Sequence, residues 1–159
     1  MGHRGGSNQR WVPVARIADD LHQVDLDRFS ASLGDSAFTT TWEALVILVA
    51  VRAWRIEFPE CRRFALRSDS LGALSSIAKM ASPSKGLALI LRELALDESG
   101  QTWGFDTLTH IPGVSNVLAD PLSRLSAPNA KQVPQGLIQV PRTTVPLRVN
   151  GWWLTVSKR

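Results

Sequence analysis

Residues 41–56, TWEALVILVAVRAWRI, limit what this chain can fold into more than any other stretch. They are apolar on nearly every side, too long for one strand, and rich in Ala and Leu toward the ends. They predict a helix buried over most of its surface, in spite of its Val and Ile. Thr40, with Glu43 three residues on, has the pattern of a capping box at its start. Pro59 ends it.

The elements around this helix follow from local pattern. RWVPVARI (10–17) has strand-like content, with Pro13 favouring an edge or a strand start. Residues 19–38 form a polar, acid-containing connection with a short helix expected around 25–32. RRFALRSDS (62–70) reads as a strand leading into a turn, and LGALSSIAKM (71–80) as a short helix broken by SPS at 82–84. Leu87, Ile90, Leu91 and Leu94 fall at i, i+3, i+4 and i+7 within 84–99, the stripe of an amphipathic helix. TWGFDTLTHI (102–111) is the next strand, Pro112-Gly113 a turn, and 117–125 the last helix. The order strand, helix, strand, helix, helix, strand, helix predicts an α/β layer with helices against a sheet.

At 159 residues, 44% apolar and 20% charged, one domain with a buried core is expected. Residues 1–10 are Gly-rich and polar and read as a flexible N-terminus. After Ala127, Pro128, Pro134, Pro141 and Pro146 punctuate a stretch with no helical period, so 128–159 reads as a basic, Pro-containing tail or linker. Its Trp152-Trp153 pair is an anchoring strand, the start of a further unit, or a base-stacking pair beside basic residues. No apolar run approaches the roughly 20 residues that span a bilayer, so no membrane association is expected. The single cysteine, Cys61, cannot form an internal disulfide, which fits an intracellular, reducing compartment. The net charge of +4 is uneven, with six Lys or Arg and no acid from Pro121 onward. A near-neutral body with a basic tail suits a polyanionic partner, and equally a solubilising tail.

Three carboxylates stand at element boundaries: Glu43 opening the buried helix, Asp69 at a strand end, and Asp120 at the last helix. Ligand sites gather at such places in α/β sheets. Each acid also has a plainer explanation. Glu43 completes the capping box, Asp69 N-caps helix 71–80, and Asp120 is an N-cap followed by Pro121 at the first helical position. Taken together, clustered carboxylates make sense as oxygen ligands for Mg²⁺, two of which activate water and stabilise a leaving oxygen in phosphodiester hydrolysis. His110, across the Pro-Gly turn, suits proton shuttling near neutral pH. Asn116, four residues before Asp120, is expected on the same helix face. Asp97 and Glu98 are expected to face solvent, and Asp19, Asp20, Asp25 and Asp27 to form a solvated loop.

The runs TWEALVILVAVRAW, RSDS, LILRELALD and HIPGVSNVLADPLSRL resemble the ribonuclease H domain of retroelement reverse transcriptases, with gypsy-type and tyrosine-recombinase retrotransposons as the nearest match. The most specific part is His-x-Pro-Gly-x-x-Asn-x-x-Ala-Asp-x-Leu-Ser-Arg, and the resemblance spans roughly 11–127. It implies a ribonuclease H-like fold, a mixed sheet with flanking helices, that cleaves the RNA strand of an RNA–DNA hybrid with two Mg²⁺ ions, or Mn²⁺ in their place. It implies Glu43, Asp69 and Asp120 as the metal-binding catalytic acids and His110 as the loop histidine of proton transfer and product release. Asn116 and Arg124 then belong to the hybrid-binding surface.

One departure is serious. The family's first strand carries an Asp that bridges both metals, and residues 1–18 contain no acid. The first two strands are therefore expected to be missing, with Asp19 and Asp20 as poor substitutes. The chain reads as an N-terminally truncated fragment with impaired hydrolysis, its partner the rest of a reverse transcriptase polyprotein. Two further readings stay open: a non-catalytic nucleic-acid-binding module, and a structural remnant whose acids are only helix caps.

Overall fold

In the computed structural model, which describes residues 12–100 and 103–155, the elements run α1 (Gln23–Phe29), α2 (Thr39–Glu57), β1 (Arg63–Ser68), α3 (Leu71–Lys79), α4 (Lys85–Ser99), β2 (Gly104–His110) and α5 (Ala119–Leu122). The chain is mixed α and β, with a parallel strand pair. The expected flexible N-terminus, 1–10, and the tail residues Lys158 and Arg159 lie outside the described residues.

Helix α2 is the centre of the core. Ala44, Leu45, Ile47, Leu48, Val49 and Val51 are buried, and they meet Ala73 and Ile77 of α3 and Leu87, Ile90, Leu91 and Leu94 of α4. Burying each of the larger side chains stabilises the fold by about 1.5–3 kcal/mol. The expected capping box does not form. A 3-10 turn, Ser36–Phe38, runs straight into the helix and Thr40 lies inside it, so Phe38 occupies the cap position and no side chain caps it. Asp35 instead starts the 3-10 turn by accepting from the Ala37 amide at 2.9 Å. The added turn also corrects the apolar length read from sequence. Ser36–Glu57, with a mean hydropathy of 1.3 over its most apolar 18 residues, is long and apolar enough to cross a membrane by length and composition alone. Here it carries Glu43 and Arg52 and forms the packed centre of the fold.

Strands β1 and β2 pair in parallel, with α3 and α4 as the crossover between them. Parallel neighbours need such a crossover because their ends lie at opposite sides of the sheet. In β1, Phe64 and Leu66 pack on the core while Arg63, Ala65 and Arg67 are exposed. A register shift after Phe64 pairs Phe64 with Phe105 and Ala65 with Thr107, leaving Asp106 between them. Gly104 at the start of β2 lies close beneath two long side chains: a Cβ there would lie 2.9 Å from Glu98 Oε1 and 3.3 Å from Arg63 Nη1, so both ends would have to swing aside. Trp103, just before it, makes edge-to-face contacts with Phe64 and Phe105.

Three expectations are corrected. Among the described residues the sheet has two strands, both parallel, rather than a mixed set. Of the strand expected at 10–17, the described residues 12–17 form only one bridge, Arg16 with Arg142. Pro13 has no amide hydrogen for a ladder, and the partner segment is itself interrupted by Pro141 and Pro146. The helix expected at 117–125 is the four-residue α5, because Pro121 cannot sit beyond a first turn and no side chain caps the start.

Among the described residues after Ala127 the regular structure is limited to 3-10 turns at Gln135–Leu137 and Asn150–Trp152 and the bridge at Arg142. It returns to the body: Leu137, Arg148 and Trp153 are buried, and Trp153 joins the main core. Trp152 lies over the Arg52 guanidinium and Trp153 over that of Arg28, so this pair is an anchor within the chain.

Candidate functional site

The carboxyl ends of β1 and β2 lie side by side. Ser68 is opposite His110 in the parallel register, and the Ser68 carbonyl accepts from the Ile111 amide at 3.0 Å. Asp69 follows Ser68 immediately, so strand pairing brings Asp69 and His110 to one end of the sheet. The Pro112-Gly113 turn then folds across it, and a Cβ on Gly113 would stand 3.7 Å from Asp69 Oδ2. Asp69 and His110 are both exposed. That is the place where open α/β sheets gather ligands.

Asp69 is not a helix cap. Ser70 is the N-cap of α3, and its Oγ accepts from the Ala73 amide at 3.2 Å. A hydroxyl at the first non-helical position makes this bond without further help, which leaves the Asp69 carboxylate free of capping duty. Glu43 is half-buried in α2 and caps nothing, since the helix begins four residues earlier at Thr39. One turn before it, the Thr40 side chain lies 3.2 Å from where a Gly72 Cβ would be, so the start of α2 abuts the start of α3. Glu43 shares the Thr40 face at i+3.

Asp120 is differently placed. It is the second residue of α5, not its cap, and its amide donates to the Asn116 carbonyl at 3.2 Å. Its Oδ2 accepts from Lys131 Nζ at 2.7 Å and its Oδ1 from Arg124 Nε at 3.0 Å. The Lys131 ammonium first, and the Arg124 guanidinium with it, hold its carboxyl below the usual carboxylate range. Arg124, expected to contact nucleic acid, is thus engaged inside the chain. Asn116 ends the 3-10 turn Gly113–Ser115 and lies outside the helix it was expected to share with Asp120. Among the described residues no three His, Cys, Asp or Glu side chains group closely enough to hold a metal ion. Asp120 is taken up by Lys131 and Arg124, and the described residues hold no ready-made carboxylate cluster for two ions.

The strongest polar constellations are elsewhere. Asp25 and Glu93 are fully buried, and Arg148 nearly so. Asp25, assigned from sequence to a solvated loop, accepts from both Nε and Nη2 of Arg148, at 2.7 and 2.6 Å. Asp19 of the same loop also accepts from Arg148, at 2.9 Å. Asp97, expected to face solvent, accepts from Arg52 Nε at 2.6 Å. For Asp25 and Arg148 the sequence carries no local signal, because the partners are 123 positions apart. Glu93 does have one: it stands three residues after Ile90, within the apolar stripe of α4. The chain matches no family model, no curated protein and no solved structure.

Proposed function

We propose that this chain is a ribonuclease H-like fragment of a retroelement polyprotein, descended from Mg²⁺-dependent enzymes that cut the RNA strand of RNA–DNA hybrids. By itself it binds such nucleic acid with little or no hydrolysis. The observation that carries this reading is the β1–β2 register, which joins Asp69 to His110 and to the Pro-Gly turn of the motif 110–124. The register pairs Ser68 with His110, so Asp69 and His110, far apart in sequence, stand at one end of the sheet, which supports the reading. The impaired hydrolysis rests on the ion pairs that occupy Asp120. A general acid or base at His110 and one carboxylate at Asp69 do not by themselves balance the charge of a phosphodiester transition state.

The test is a labelled RNA–DNA hybrid incubated with the chain in Mg²⁺ or Mn²⁺, followed by anisotropy and gel readouts. The expected result is binding that weakens steeply with salt, as phosphate contacts do, and no cleavage. Cleavage that disappears in Asp69→Asn would overturn the impairment. No binding at low salt would overturn the nucleic-acid reading itself.

A further inference from the structure

The C-terminal segment is held in the manner of a bound peptide. Glu93 Oε2 accepts from the Leu154 amide at 2.8 Å, and Oε1 accepts from the Thr155 amide at 2.7 Å and from the Thr155 hydroxyl. Arg52 Nη1 donates to the Trp152 carbonyl at 2.8 Å, and Arg28 Nη2 to the Thr155 carbonyl at 3.1 Å. These four main-chain contacts are the kind by which grooves read an extended strand. Side-chain recognition is added at three points. Arg148 enters the Asp19–Asp25 pocket as a bidentate fork, and Trp152 and Trp153 lie over the Arg52 and Arg28 guanidinium groups. The Trp153 indole donates back to the Arg148 carbonyl at 2.9 Å, which shapes the segment for its site.

The groove belongs to α1, α2 and α4, while the segment reaches it over residues 128–147, which contain no helix beyond one 3-10 turn and no named strand. A buried Asp25 is costly without Arg148, and Glu93 without the segment's amides keeps only Arg52, so the groove is built around an occupant. We infer that the groove formed by Asp19, Asp25, Arg28, Arg52 and Glu93 is a recognition site for the extended sequence Arg-x3-Trp-Trp-x-Thr, filled in cis by residues 148–155 as an exchangeable strap. The partner it fits is the same segment of a second copy, which makes the fold able to swap straps. This inference stands apart from the nuclease reading, since it uses none of Glu43, Asp69, His110 or Asp120.

The experiment cuts the full chain at a protease site inserted between Asn129 and Ala130, an exposed stretch. Fluorescein-labelled peptide 130–159 is then added to the nicked, intact assembly. The expected result is exchange of the labelled peptide into the protein, reversed by unlabelled peptide. Peptides carrying Arg148→Ala or Trp153→Ala are expected to need at least tenfold higher concentration to compete. Placing the substitutions in the peptide leaves the body of the protein unaltered. A nicked protein that stays folded yet takes up no peptide overturns the proposal, as does equal competition by the substituted peptides. Loss of the fold on nicking overturns it too, because the segment is then core and not ligand. The uncut chain supplies a second readout: refolded at high concentration it should form strap-swapped dimers by light scattering, and a monomer at every concentration counts against exchange.

Discussion

Ser70 and Asp69 are adjacent, yet the structure gives them separate work. Ser70 is buried and closes the first turn of α3 through the Ala73 amide. Ser70→Ala should therefore cost about 1 kcal/mol in denaturant unfolding, the usual loss for a cap. Asp69 is exposed and makes no cap bond, so Asp69→Asn should stay within about 0.5 kcal/mol of the parent. The same pair of proteins, compared for hybrid binding, should show the opposite order of effects. Sequence alone left Asp69 balanced between cap and site, because a residue before a helix has both options until the neighbouring hydroxyl is seen to take the bond. His110 stands out in the sequence for a similar reason: its motif is local, and only its pairing with Ser68 is not. Glu93 was overlooked because a Glu among leucines reads as the polar edge of a stripe. It is in fact the acceptor for Arg52 and for two amides of the strap.

At the level of elements, local patterns were sufficient wherever the stabilising contacts are local. α3, α4, β1 and β2 lie within a residue or two of where the spacing of apolar residues and the turn residues put them. α2 gains a 3-10 entry that no spacing predicts, since its cap is a backbone path and not a side chain. The failures, 10–17 and 117–125, both involve proline in a place where the element would need its missing amide hydrogen. The packing of α2 makes a sharp contrast available. Leu48 has no exposed surface and faces α3 and α4, so Leu48→Ala should cost about 3 kcal/mol. Val46, in the same helix, is 62% exposed, and Val46→Thr should change stability by no more than about 0.5 kcal/mol. Chemical denaturation of the two variants measures both. Equal losses would mean that the exposed side of α2 is covered in solution.

Over the whole molecule, the charges that matter for stability join regions remote in sequence. Burial pushes the Glu93 carboxyl upward, but hydrogen bonds from Thr155, Leu154 and Arg52 outweigh it and leave its pKa below the ordinary value. Asp19 behaves alike: burial raises it, and Arg148 with His22 lowers it further than burial lifts it. Groups with depressed folded-state pKa values stabilise the fold above their unfolded values and cease to do so as pH falls through the folded ones. The melting temperature should therefore be flat above about pH 5 and decline in more acidic buffer. Glu93→Gln should lower it at neutral pH and shorten that acid decline, and an unchanged decline would place the dependence on other carboxylates. No local reading of the chain reveals these ties, because Arg148 stands 123 positions from Asp25 and Thr155 stands 62 from Glu93. They also set an order on synthesis. While the ribosome still covers residues 148–155, Asp25 lacks its Arg148 partner, Glu93 has only Arg52, and the groove stays open to water and to chaperones. The nascent chain can assemble its helices early, but it reaches its final form only once residues 148–155 have emerged and come back to Asp25 and Glu93, made well before them.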